Sequence, residues 1–316
     1  MSGMARTHSP THAPLSARRR RARGIALVAL ASVVWSTGGL YVRFLDLDLW
    51  TLQAWRSLFS ALSLLAVVLL DKGRDAPKAF RDMGVLGLLA APIAGVSMIC
   101  FVAALKFTTV ANVMVIYATV PFVAAGVAYL WVRERIERRT LIASVLALLG
   151  VSVMAGNATR AADLLGNALS FLMTLSFSVL LVMARRYPSM AMAPINALGA
   201  LLCAAFCFPL VTGGVPSLSE MLTLAVFGAT TTGFAYLLFL NGGRLIPSSE
   251  AGLVGLLDVP LAPLWVWLVF GEEPAGSALI GGGIVLAALV WCLSGLREPE
   301  VESEGGVSSV RAEDGP

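Results

Sequence analysis

Between residues 24 and 295 the chain is a succession of long apolar runs, with polar and charged residues gathered in short connections between them. The runs cover 24–42, 50–70, 84–105, 110–132, 140–157, 164–184, 193–213, 221–241, 249–271 and 277–295. Each approaches the roughly 20 residues a helix needs to cross about 30 Å of hydrocarbon. None alternates apolar with polar residues, as barrel strands do. The pattern predicts an all-α membrane protein with ten transmembrane helices. Composition agrees: of 316 residues 58% are hydrophobic and only 13% charged. A soluble domain carries about a quarter charged residues. So few charges cannot cover a water-facing surface, which excludes an ordinary soluble enzyme, a disordered chain and a disulfide scaffold.

Charge fixes the expected orientation. With the N-terminus inside, 19 of the 23 Lys and Arg fall in inner loops and tails, three (Arg43, Lys106, Arg160) in outer loops, and Arg56 within a run. Such a bias is the signature of cytoplasmic loops. It places both termini in the cytoplasm and the chain in a bacterial inner (plasma) membrane as a multi-pass protein. The basic tail, residues 1–23, reads as a topology anchor. A secretion signal is disfavoured because its apolar stretch is 19 residues long, lacks a small-residue cleavage site and is followed by nine more runs. The net charge of +4 therefore reports orientation and not a nucleic-acid partner. The acidic tail, 297–316, contains Gly and Ser and is expected to be disordered. The four cysteines lie within runs and both histidines in the N-terminal tail, so buried reduced thiols are expected and no metal site or cofactor.

The fourth and ninth runs share a pattern. Val120-Pro121 and Val259-Pro260 each open an apolar stretch, with a glutamate 13 positions after the proline, at Glu134 and Glu273. Five runs lie on each side of the midpoint, so the second half must enter the membrane upside down. The expected units are a first five-helix repeat at 24–157 and a second, inverted one at 164–296. Inverted repeats with interrupted helices form transporters whose substrate site lies near the midplane. Proline removes a backbone donor and frees the carbonyl four residues back, which makes Pro121 and Pro260 candidate hinges.

These residues resemble the EamA type of the drug/metabolite transporter superfamily. The resemblance rests on W-S-T-G-G in the first run, Arg56 in the second, V-P…R-E-R-I in the fourth and L-D-V-P-L-A-P-L-W-V-W-L-V-F-G-E-E-P in the ninth, and covers 24–296. It implies ten spans in two inverted halves and a carrier, most often an exporter, of amino acids, related metabolites or drugs. The second repeat departs from the first, with Asn196 where Arg56 stands and Gly271-Glu272 for Val132-Arg133.

No catalytic constellation and no phosphate-cradling loop is present in the sequence, so an enzyme is not expected and transport must be downhill, by exchange or coupled to an ion. Three charges fall within runs, and an intramembrane charge is a functional candidate by default. Asp258 stands near the middle of the ninth run. Desolvation penalises a charged carboxyl, so Asp258 is a candidate for binding a substrate amine or carrying a coupling proton. Arg56 lies roughly 9 Å from the outer end of its run at 1.5 Å per residue. It is placed to snorkel outward, to pair with a carboxylate or to bind one on the substrate. Glu250 suits the first turn of the ninth helix as a cap or a gate. Uncharged candidates for substrate contact are Trp35, Ser36, Thr37, Asn112, Tyr117, Ser176, Ser178, Thr231 and Tyr236. Small-residue rows at Ala143/Ala147/Gly150 and Gly281–Gly283 offer close packing, within one chain or in a homodimer. The expected partners are thus a small-molecule substrate, the lipid bilayer and a candidate proton. The alternative class, a non-transporting receptor or assembly partner, needs no central polar site.

Overall fold

A computed structural model gives the fold and describes residues 13–133, 138–155, 161–187, 190–246, 251 and 254–293. Every described element is helical. In chain order they are α1 (Ala13–Ser36), α2 (Gly38–Phe44), α3 (Leu49–Lys72), α4 (Ala76–Asp82), α5 (Gly84–Phe107), α6 (Val110–Tyr117) and α7 (Val120–Val132). They continue with α8 (Arg138–Ala155), α9 (Ala161–Arg186), α10 (Met192–Cys207), α11 (Leu218–Gly228), α12 (Ala235–Gly243), α13 (Asp258–Phe270) and α14 (Gly276–Leu293). A π-helical turn, Ala229–Phe234, joins α11 to α12.

Local chemistry sets the ends. Asp48 caps α3 by accepting the N–H groups of Trp50 and Thr51 at 2.9 and 3.0 Å. Ser217 and Glu220 form a reciprocal capping box at the start of α11. Gly271 ends α13 in the left-handed region at φ 67°.

Among the described residues, six helical stretches are long and apolar enough to cross a membrane, or seven if the pair α6–α7, bent by 41°, is one span. Three shorter apolar helices, Leu141–Val153, Asp258–Phe270 and Gly276–Ala288, coincide with the other expected runs. The 13 residues of α13 rise roughly 20 Å, less than the hydrocarbon thickness. The outer surface carries many large apolar residues, among them Leu70, Leu130 and Leu279, more exposed than a water-soluble monomer tolerates. Residues 1–12 of the basic tail, Glu134, Arg160, Glu250 and the acidic tail lie outside the described residues.

Helix packing is nearly unchanged when each helix of the first half is exchanged for its counterpart in the second. The third expected span (α5) packs on the sixth (α9), and the eighth (α12) on the first (α1). The fourth (α6–α7) packs on the sixth, and the ninth (α13) on the first. The seventh (α10) packs on the third, and the second (α3) on the eighth (α11). The contacts α3–α10 and α8–α14 map onto themselves. Small residues allow the closest of these approaches. A Cβ on Gly150 would stand 2.6 Å from the Gly281 carbonyl, and one on Gly199 2.7 Å from that of Ala91. The two small-residue rows thus meet each other, within one chain, at the α8–α14 contact. Cys100, Cys203 and Cys207 are buried free thiols.

Candidate functional site

The first span breaks at its W-S-T-G-G motif. Thr37 separates α1 from α2, and the hydroxyls of Ser36 and Thr37 both donate back, to the Val33 and Val34 carbonyls, at 2.7 Å. Such back-bonding weakens and bends helices. The break brings three spans together. Trp35 Nε1 donates to the Thr231 carbonyl at 2.8 Å, and its ring lies 5.3 Å from that of Phe239. Trp265 Nε1 of α13 donates to Ser36 Oγ at 2.9 Å. Ser32 Oγ also donates to the Val254 carbonyl at 3.2 Å. Thr231 sits in the π turn, where its own hydroxyl donates to the Phe227 carbonyl at 2.7 Å. π turns inside helices occur frequently at functional sites.

Two further breaks precede the paired prolines. Tyr117 ends α6 and Pro121 lies in the first turn of α7, with Ala118 and Thr119 between the helices. In the second half, Leu256 and Leu257 form a turn, and Pro260 lies in the first turn of α13. Both prolines therefore sit where their missing N–H leaves no helical bond unmade. Asp258 opens α13. It is 6% exposed, and its Oδ1 has no hydrogen-bond partner among the described residues. A buried acceptor left unpaired is expensive and calls for an explanation. Tyr117, at the end of α6, is half-buried, and its ring lies 5.9 Å from that of Phe177.

Arg56 of α3 is buried, 7% exposed. Its guanidinium lies 4.5 Å from the Phe227 ring centroid and 5.7 Å from that of Phe101, while Tyr41 stacks on Phe227 at 4.8 Å. Nε and Nη1 have no hydrogen-bond partner among the described residues. The guanidinium is thus held between aromatic faces, which attract a cation through their quadrupole.

The remaining candidates have other positions. Ser178 ties α9 to the start of α7, its single hydroxyl proton shared between the Thr174 carbonyl at 2.7 Å and the Val120 carbonyl at 3.3 Å. Ser176 is buried in the same helix, and Tyr236 is half-buried in α12. Asn112 is held away from the three breaks, its amide donating to Thr108 Oγ1 at 3.0 Å. Glu250 lies outside the described residues.

Asn112 belongs instead to a polar cluster at one end of the bundle. Arg43, at the end of α2, binds Glu272 through Nε at 2.7 Å and Nη2 at 3.3 Å. It also donates to the Leu105 and Thr108 carbonyls at 2.6 and 3.1 Å. Glu272 in turn accepts the Val110 N–H at 3.2 Å. Lys106 donates to the Leu45 and Leu47 carbonyls at 3.3 and 2.9 Å. All the described partners of Glu272 lie in the first half of the chain.

Sequence reasoning missed Trp265, the aromatic set around Arg56 and the Arg43–Glu272 pair. Trp265 lies within the quoted ninth-run motif, and only its indole N–H marked it as a buried donor needing an acceptor. The repeat pattern singled out Glu273, one residue from the glutamate that makes the ion pair.

Comparison with known proteins identifies the family. The model of the EamA-like transporter family matches twice, over residues 22–156 and 164–294. An uncharacterized transporter of Archaeoglobus fulgidus is 27% identical over 271 residues, covering 84% of this chain and 95% of that protein. One protein of known crystal structure shares the fold with a TM-score of 0.62 at 18% identity, over 86% of this chain and 97% of its own. Two family domains covering most of the chain, on an all-helical apolar bundle, establish that this protein is a membrane transporter belonging to the EamA-like family of the drug/metabolite transporter superfamily.

Proposed function

We propose that the protein is a secondary transporter that exports amino acids or related small metabolites across a bacterial inner membrane, with ten spans in two inverted five-helix halves. Substrate binds where the broken first, fourth and ninth spans meet, among Trp35, Tyr117 and Asp258. The observation that carries this reading is the unpaired, buried Asp258 Oδ1 at a helix break. A substrate ammonium or a coupling proton satisfies that oxygen. Arg56, with its unpaired guanidinium nitrogens, is the complementary group for a substrate carboxylate. Exchange-symmetric packing supports rocking of one half against the other, with the turns before Pro121 and Pro260 as hinges. The Arg43–Glu272 pair joins the halves at the end assigned to the outside, so it must separate when the site opens outward.

The test is counterflow of labelled amino acids into vesicles holding the purified protein. Asp258→Asn should reduce exchange at least tenfold while leaving expression and unfolding temperature unchanged. A pH gradient should drive the wild type but not the variant if the proton is coupled. Absence of transport of every amino acid and small metabolite under all gradients would overturn the reading.

A further inference from the structure

A cavity lies beside the break that precedes α13. It is a crevice of about 630 Å³ between α6 of the first half and α13 and α14 of the second. Its walls are apolar, with Val115, Pro260, Pro263, Leu264 and Leu279 among them, and Glu273 stands at its mouth. Glycines shape it. A Cβ on Gly282 would press against Val115 at 2.8 Å, so this residue forms part of the floor, whereas one on Gly283 would meet nothing within 4 Å. Two of its lining residues, Leu279 and Trp267, are 63% and 46% exposed, so the crevice reaches the outer surface.

Its dimensions and charge select an occupant. From Trp267 to Val259 along α13, and from Ala278 to Leu286 along α14, the lining rises roughly 12 Å at 1.5 Å per residue. That is close to one leaflet's share of a hydrocarbon core about 30 Å thick. The polar end coincides with the end of the bundle that carries Arg43 and Glu272, where headgroups lie. Glu272 is committed to Arg43 there, but exposed Glu273 has neither ion pair nor hydrogen bond among the described residues. An apolar slot close to one leaflet deep with a lone carboxylate at its mouth complements an acyl chain whose headgroup presents an ammonium. We propose that the crevice is a lipid site that takes one acyl chain of a phospholipid whose headgroup bears a primary ammonium, with the ammonium on Glu273. The bound chain lies against Pro260, beside the hinge of α13.

The full-length protein in mixed vesicles provides the test, using phosphatidylethanolamine and phosphatidylglycerol probes that carry a photoactivatable group in the acyl chain. The ethanolamine probe should label peptides of α13 and α14 at least threefold more than the glycerol probe. Gly283→Leu places a side chain in open space and should abolish that labelling with an unchanged unfolding temperature; Leu279→Trp serves as an independent obstruction should the first variant not fold. Glu273→Gln should equalise the two probes. Equal labelling by both probes in the wild type would overturn the headgroup assignment. Labelling insensitive to both obstructing variants would mean bulk lipid only, and protection by a transported amino acid would reassign the crevice to the substrate path. The readout involves no transport step, so its failure is separable from failure of the transport reading.

Discussion

Arg56 is the residue where local energetics speak most directly. A buried charge without a partner is strongly unfavourable, and well-packed apolar replacements of buried ionic groups are often neutral or stabilising. Here the guanidinium is 7% exposed, faces Phe227 at 4.5 Å and leaves two nitrogens unpaired. Arg56→Leu should therefore keep or raise the unfolding temperature in detergent. If the guanidinium serves a substrate carboxylate, the same variant should lower counterflow of amino acids at least tenfold. A drop of several degrees with unchanged transport per folded molecule would instead make Arg56 a structural residue. Arg56→Lys is not a conservative control, because an ammonium lacks the planar face that stacks on an aromatic ring. The sequence marked Arg56 as an intramembrane charge. It could not reveal the aromatic partners, since Phe101 and Phe227 stand on other helices and look like any apolar residue. Trp265 and Ser36 are likewise 229 positions apart, and no local pattern joins them.

At the scale of elements, apolar runs with turn residues between them made the helices legible, and the prolines marked two of the breaks. Register between helices was less legible, because it depends on which small residues face each other. Gly150 illustrates the point. Its hypothetical Cβ would be 2.6 Å from the Gly281 carbonyl and 3.0 Å from Val285, both in α14. Backbone cannot yield as a flexible side chain does, so Gly150→Val should separate α8 from α14 and destabilise the protein by about 1–3 kcal/mol, the usual range for overpacking. Thermal unfolding would show it, and Gly126→Val, at a glycine with open space, should have a much smaller effect. The Arg43–Glu272 pair is an inter-element contact of a different kind. It is partly exposed, at 24% for each side chain, but is braced by the carbonyls of Leu105 and Thr108 and the N–H of Val110. Reversing the charges should not rescue a single variant, because a glutamate at 43 would face those carbonyls. Joining the positions as Arg43→Cys with Glu272→Cys through a short, reducible thiol-reactive crosslinker should instead stop transport, with recovery on reduction. Full transport in the crosslinked protein would show that this end need not open.

For the whole molecule the central proposal is that the halves are inverted. Two sequence features bear on it, the odd number of runs per half and the distribution of basic residues, and neither depends on any contact between helices. The packing pattern relates the halves, since their exchange leaves the neighbours nearly unchanged, but it is common to parallel and inverted repeats. A parallel and an inverted repeat differ in one decisive respect, the side of the membrane on which equivalent loops emerge. Arg74 follows the second run and Gly214 follows the seventh, and they are 140 positions apart, the spacing that relates the halves. Both positions are exposed, and a Cβ on Gly214 meets nothing within 4 Å. The described cysteines are buried, so background labelling at those sites should be low. In intact cells a membrane-impermeant maleimide should modify Gly214→Cys directly and Arg74→Cys only after permeabilisation. Opposite sides with the reverse assignment would keep the inversion and flip the orientation, making the Arg43–Glu272 end cytoplasmic. Labelling of both from one side would make the repeats parallel, which five spans per half cannot accommodate, and would overturn the ten-span topology together with the rocking mechanism built on it.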